Sequence, residues 1–149
     1  NLKNEKIDFC VRALSSKESI VLPKSEIGSQ KLGLSLSQKL GIGYIPHILK
    51  KKTTKPMHSI SDKSERFSNI NGSYSLNEQI INNLDLNESR ILIIDDISTT
   101  GATVNEISRV LKDQWPKVKL YFACVAKTNN EVGDSANKLL LTKYSFIAV

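Results

Sequence analysis

Arg90-Ile91-Leu92-Ile93-Ile94-Asp95-Asp96-Ile97-Ser98-Thr99-Thr100-Gly101-Ala102-Thr103 is the stretch that decides the fold. Its opening β-branched run predicts a central parallel strand, buried on both faces. Val104, Ile107, Val110 and Leu111 then recur at helical spacing, so a helix opens directly after the polar residues. Strand, polar turn and helix in immediate succession are the repeating unit of an α/β domain.

Working outward, Val118 to Val125 predicts a second buried strand and Tyr144 to Val149 a last one. On the amino-terminal side, residues 3–14 read as a helix, and Ser19-Ile20-Val21-Leu22, stopped by Pro23, as a short strand. Leucines at 32, 34, 36 and 40 predict a helix over 29–40 that Gly41 terminates. Tyr44 to Leu49 predicts another strand. Residues 50–66 hold Lys50, Lys51, Lys52, Pro56, His58 and several serines, which is the composition of an exposed, mobile loop. Glu65 to Ile70 predicts a short helix, Gly72 to Leu76 a short strand, and 78–84 a further helix. The expected architecture is a five-stranded, mainly parallel sheet flanked by helices, with a small hood. There are no internal repeats.

The polar stretch after Ile94 has its own chemistry. Open α/β sheets bind ligands at the carboxyl ends of their strands. The first amides of a helix lack internal partners and carry partial positive charge, which favours an anion. Thr99, Thr100 and Thr103 add hydroxyl donors, and Gly101 lets the backbone close around a phosphate without a Cβ in the way. Asp95 and Asp96 would repel that phosphate. They suit a vicinal diol, or help to hold a divalent cation. Phosphate grip and diol grip a few residues apart describe a ribose 5-phosphate. One helix cap would account for one polar side chain, not for two acids followed by three threonines around a glycine. A Walker A loop is excluded, because no Gly-Lys-Ser/Thr ending follows.

Bulk properties set the frame. A chain of 149 residues fits one domain. Asn1 in place of Met suggests an excised or truncated piece of a longer chain. No apolar run is long enough to cross a membrane, and no signal peptide is evident. The net charge of +6 favours polyanionic partners, either nucleic acid or a phosphate-rich ligand, although many solvated lysines fit it equally. Cys10 and Cys124 are the only cysteines, and they read as reduced core residues of a cytoplasmic protein. Neither they nor His47 and His58 have zinc-site spacing, so no metal is assigned to protein side chains.

Residues 91–103 resemble the phosphoribosyl pyrophosphate loop of type I phosphoribosyltransferases, with almost no departure over thirteen residues. The resemblance implies that Asp95 and Asp96 contact the ribose hydroxyls as the catalytic pair. It implies that Ser98, Thr99, Thr100, Gly101, Ala102 and Thr103 wrap the 5′-phosphate. Lys52-Thr53-Thr54-Lys55-Pro56-Met57-His58, then Glu65-Arg66, Asn69 and Gly72-Ser73-Tyr74, resembles the pattern of the ComF-like branch, linked to natural competence and DNA uptake. Gly28-Ser29-Gln30 is similar to that branch's Gly-x-Asn-Gln helix start, with Ser29 where Asn is usual. Met57 stands where Gln is usual, Lys52 where Arg is common, and the branch's cysteine-rich zinc module is absent.

What the resemblance implies further is expectation. Lys50, Lys51, Lys52 and Arg66 are candidates for the pyrophosphate, with Lys52 and Arg66 preferred. Pro23-Lys24-Ser25, as the turn after the first strand, takes the place of the pyrophosphate-binding loop. Lys127 takes a place near the base, where a plain surface lysine fits as well. His58 is read as incidental. The implied reaction transfers a phosphoribosyl group to a nitrogen nucleophile and releases pyrophosphate, with Mg2+ held mainly by the ligand. Relatives commonly pair, which implies a homodimer. A second function class stays open: a non-catalytic sensor of a phosphoribosyl ligand, or a nucleic-acid-associated module of the DNA-uptake type.

Overall fold

The computed structural model describes residues 6–20, 28–56, 59–98, 100–127 and 145–148. Five strands form the main sheet: β1 (Phe9–Arg12), β2 (Gly43–Tyr44), β5 (Arg90–Ser98), β6 (Lys119–Lys127) and β7 (Ser145–Ala148). Their order is β2-β1-β5-β6-β7, and every neighbouring pair is parallel. The helices are α1 (Gly28–Leu40), α2 (Lys63–Ile70), α3 (Glu78–Ile81) and α4 (Ala102–Gln114). A separate antiparallel pair, β3 (Leu49–Lys51) with β4 (Tyr74–Leu76), builds the small hood.

Side chains alternate across the strands and make two cores. Val11, Ile91, Ile93 and Phe122 lie on one face, against Val104, Ile107, Val110 and Leu111 of α4 and against Ile48, Leu49 and Tyr74 of the hood. Cys10, Leu92, Ile94 and Ala123 lie on the other, with Leu32 and Leu36 of α1. The double-sided burial expected for residues 90–94 is therefore present, and each fully buried isoleucine there contributes roughly 1.5–3 kcal/mol. All four apolar positions expected on the helix after the loop are buried. The helices expected near 29–40 and 65–70 are also present.

Three expectations fail. Residues 9–12 are a strand, not part of a helix over 3–14. Phe9-Cys10-Val11 suits a strand between two neighbours, but the charged Arg12 that ends it is itself fully buried and masked the pattern. Ser19 and Ile20 are not in a strand; Val21 and Leu22 lie outside the described residues. The single strand expected over 44–49 is two strands in different sheets. Pro46 starts a 3-10 turn, Pro46–Ile48, that separates them.

Candidate functional site

The order β2-β1-β5-β6-β7 contains a switch point. From β1 the chain moves to β2 on one side, and from β5 it moves to β6 on the other. The loops after β1 and β5 thus diverge at their carboxyl ends and leave a crevice, which is where such sheets bind ligands. Ala13 N–H donates to Ile94 O at 2.8 Å, so the two loops begin side by side.

On the β5 side, Asp95 is half-buried and Asp96 exposed. Asp95 Oδ1 accepts the Asp96 N–H at 2.9 Å. Burial, reinforced by the neighbouring Asp96 charge, pushes the Asp95 carboxyl up to about 8. Gly101 follows with φ +74°, a left-handed conformation that residues bearing a Cβ adopt only at a cost. It stands at the N-cap of α4, and no side-chain hydrogen bond caps that helix from there. Thr100 Oγ1 accepts the Ala102 N–H at 3.4 Å, a long bond. The result is a positive helix end next to a pair of acids.

On the β1 side, Ala13 to Glu18 form a turn closed by the Glu18 N–H to Ser15 O at 3.2 Å. Its framework is buried and charged. The Arg12 guanidinium, fully buried, donates to both Glu18 carboxylate oxygens at 2.6 and 2.9 Å, to Gln30 Oε1 at 2.8 Å and to Ala13 O at 3.0 Å. Burial works against ionisation of Glu18, but the Arg12 and Ser15 hydrogen bonds win and hold its carboxyl below the ordinary value. Tyr44 donates its hydroxyl to the same Gln30 oxygen at 2.6 Å. Tyr74 Oη accepts the Leu14 N–H and donates to Leu14 O, both at 3.0 Å.

A model of the phosphoribosyl transferase domain matches residues 29–143 of this sequence. The chain belongs to this family. The phosphoribosyl transferase domain also has neighbours among solved structures. It superimposes on adenine phosphoribosyltransferase from Thermoanaerobacter pseudethanolicus with a TM-score of 0.60 at 19% identity, covering 99% of this chain and 71% of that one. The Saccharomyces cerevisiae enzyme, complexed with an imino-altritol bisphosphate and adenine, gives 0.57 at 17% identity, with 99% and 68% covered. The Trypanosoma brucei enzyme, in complex with AMP, pyrophosphate and ribose-5-phosphate, gives 0.55 at 14% identity. All of this chain is covered there, but only 57% of the trypanosomal one. No curated protein matches in sequence. The likeness shows the α/β type I phosphoribosyltransferase fold expected from the sequence.

Within this phosphoribosyl transferase domain the expected residues are placed as follows. Asp95, Asp96, Thr100, Gly101, Ala102 and Thr103 gather at the switch point. The Ser98 backbone pairs with that of Lys127 on β6, which brings Lys127 to the same edge; Thr99 lies outside the described residues. Pro23, Lys24 and Ser25 also lie outside them. Ser19 and Ile20, from the strand on which their place depended, are not in a strand, and the turn that follows the first described strand is Ala13–Glu18. Lys51 does not belong to an exposed loop: it is 6% exposed on β3. Lys52 is exposed just beyond it.

The basic segment after β3 is tied down by α2. Asn69 Oδ1 accepts the Lys55 N–H at 3.1 Å, and its Nδ2 donates to Lys55 O at 2.9 Å. Arg66 Nε donates to Ile60 O at 2.7 Å, a local tie, and makes no hydrogen bond to Asp95, Asp96 or the turn among the described residues. Ser29 and Gln30 are buried at the start of α1, where Gln30 joins the Arg12 network. Cys10 is buried with its thiol pushed up to about 12 by burial, so it is an unreactive core residue.

Arg12 and Glu18 are not among the residues expected from the sequence. Lys51 is expected at the pyrophosphate from an exposed loop but is buried on β3, and Tyr74, expected only as part of the ComF-like pattern, meets Leu14. One signal existed for Arg12: a cation directly ending the apolar run Phe9-Cys10-Val11 marks the carboxyl end of a buried strand. Among the described residues, no group of three His, Cys, Asp or Glu side chains stands ready for a metal ion. Two carboxylates beside the positive end of α4 still fit a hard cation that takes its other oxygens from a ligand. Among them, too, no helix is long and apolar enough to cross a membrane.

Proposed function

We propose that this domain binds phosphoribosyl pyrophosphate in the crevice between β1 and β5 and transfers its phosphoribosyl group to a nitrogen nucleophile. One observation carries the reading: an acid pair and a Gly101-opened helix end occupy one side of a sheet switch point, with a turn of backbone amides on the other. Asp95 and Asp96 accept hydrogen bonds from the ribose hydroxyls. Ser98 to Thr103 hold the 5′-phosphate at the start of α4. The diphosphate lies toward the Ala13–Glu18 turn, which takes over the part expected of Pro23-Lys24-Ser25, with the exposed Lys52 beside it. Lys127 approaches the base. Arg66, tied to Ile60, is the weakest of the expected pyrophosphate contacts.

In the reaction the bond from C1 to the pyrophosphate oxygen breaks and the electron pair leaves with the pyrophosphate. A C1–N bond forms, and the proton of the nucleophile passes to solvent. The protein's contribution is positioning and charge neutralisation. Mg2+, when bound, neutralises the diphosphate, and Asp95 and Asp96 are the side chains that would help to hold it.

Branch membership belongs to the same proposal. The ComF-like pattern is supported by Asn69, which ties Lys55 to α2, and by Arg66, which ties α2 to Ile60. Isothermal titration with Mg2+ and phosphoribosyl pyrophosphate tests the reading. Heat is expected from the unaltered chain and not from the double variant Asp95→Asn/Asp96→Asn. Equal heat from both would refute it. Binding without pyrophosphate release, across a panel of bases, would instead assign a sensor role.

A further inference from the structure

Lys51 is a buried cation whose ammonium meets the backbone of the turn after β1. Nζ donates to Leu14 O at 3.1 Å and to Ser15 O at 3.1 Å, and it lies over the Tyr74 ring at 5.4 Å from the centroid. Taking a lysine out of water is costly, and a neutral side chain would pack there more cheaply.

The geometry of the peptide shows what those bonds achieve. In a trans peptide the C=O and N–H point in opposite directions. The peptide joining Leu14 to Ser15 turns its oxygen to Lys51 and its N–H to Glu18 Oε2 at 2.9 Å. The next peptide turns the Ser15 oxygen to Lys51 as well, so the Ser16 N–H faces away from the ammonium. The Thr54 N–H, 3.5 Å from Ser16 O, orients the peptide after that. Ser16 and Lys17 occupy the two central positions of the turn, and their amides have no partner among the described residues. If the Leu14 and Ser15 carbonyls were released, either peptide could rotate and present an oxygen where an anion would lie.

We propose that Lys51 is a positioning residue for diphosphate recognition, fixing the peptide planes at the start of the turn so that the Ser16 amide faces the anion. The inference rests on the reading of the crevice as a phosphoribosyl pyrophosphate site, and it extends that site to the hood, since Lys51 ends β3. Burial lowers the Lys51 ammonium to about 8, while the nearby Asp95 and Glu18 charges work the other way.

Isothermal titration of the full chain with Mg2+ and pyrophosphate, and separately with ribose 5-phosphate, tests it. Ribose 5-phosphate uses the β5 side only, so the two probes should separate. In Lys51→Met, pyrophosphate affinity is expected to fall by about tenfold or more, the scale of lost charged hydrogen bonds, with ribose 5-phosphate affinity within about twofold of the unaltered chain. Lys51→Arg should regain part of the loss. Equal weakening of both probes, or no change in either, overturns the inference. Where Lys51→Met fails to fold, Tyr74→Phe removes the other clamp on Leu14. It should weaken pyrophosphate alone; unchanged affinity there overturns the inference too. An unaltered chain that binds ribose 5-phosphate but not pyrophosphate refutes the role of Lys51 and leaves the β5 side standing. One that binds neither refutes both.

Discussion

On the proposed reading, the two sides of the crevice handle an anion in opposite ways. After β5 the chain supplies everything locally: two acids, a left-handed glycine and the open end of α4 follow each other within a dozen residues. After β1 the turn offers bare amides, and its shape comes from Arg12 at the end of β1, Glu18 within the turn, Lys51 on β3 and Tyr74 on β4. The first side is preorganised by a helix that would form in any case. The second depends on buried charges whose partners come from elsewhere in the chain. A change on the first side should therefore alter binding with modest effects on folding, and a change in the buried Arg12–Glu18 pair of the second should destabilise the protein.

The sharpest way to break that contrast is Glu18→Ala. It strands the buried Arg12 guanidinium, and a loss of about 3–5 kcal/mol is expected in urea unfolding. A loss below about 1 kcal/mol would mean that the turn does not rely on its buried pair. Next comes Asp95→Asn, whose expected effects have opposite signs for binding and stability. Ribose 5-phosphate affinity should fall by about tenfold or more as a charged acceptor is lost. The free protein, however, should become more stable at pH 8. The Asp95 carboxyl is raised from 3.8 to about 8, so the folded state binds its proton more tightly than the unfolded chain does. Its contribution is complete in acid and is lost as pH climbs through that window. Thermal melts of both proteins between pH 5 and 9, values chosen to span the upper window, should diverge as pH rises.

Gly101→Ala is smaller. At φ +74° an added Cβ costs roughly 1–2 kcal/mol, and the distortion should also weaken phosphate binding. Asp113→Asn sets the floor. It removes an exposed pair with Arg109 one helical turn away, so a change of about 0.3–0.5 kcal/mol and unaltered affinity for either probe are expected.

The same contrast explains what could be read from the residues alone. The β5 side is contiguous: a β-branched run, acids, threonines and glycine each declare their chemistry in order. The helix of Val104 to Leu111 was legible because its burial follows one period. The β1 side is scattered over residues 12 to 74, and no local pattern links Lys51 to Leu14 or Gln30 to Arg12. Residues 3–14 read as a helix because apolar residues are spread among charges there, and the burial of Arg12 depends on Glu18, a partner met only in the folded state. Lys51, read among the neighbouring cations Lys50 and Lys52, looked solvated. Its place on β3, two residues after the buried Leu49, puts it on the inward face.

The parallel pairing of β1 with β5 has a consequence for how the crevice comes into being. Asp8 and Arg90, joined at the base of that pairing, are 82 residues apart. Closing so long a loop costs entropy before any contact offsets it, and parallel pairings of this kind are slow to form. Neither side is a crevice alone, so on the proposed reading competence to bind the whole ligand arises in the step that docks β1 beside the central strand β5. Pyrophosphate-binding signal during refolding is expected to rise with the slowest folding phase and not before it; an earlier rise would show that the pyrophosphate does not need the paired β1 and β5 sides.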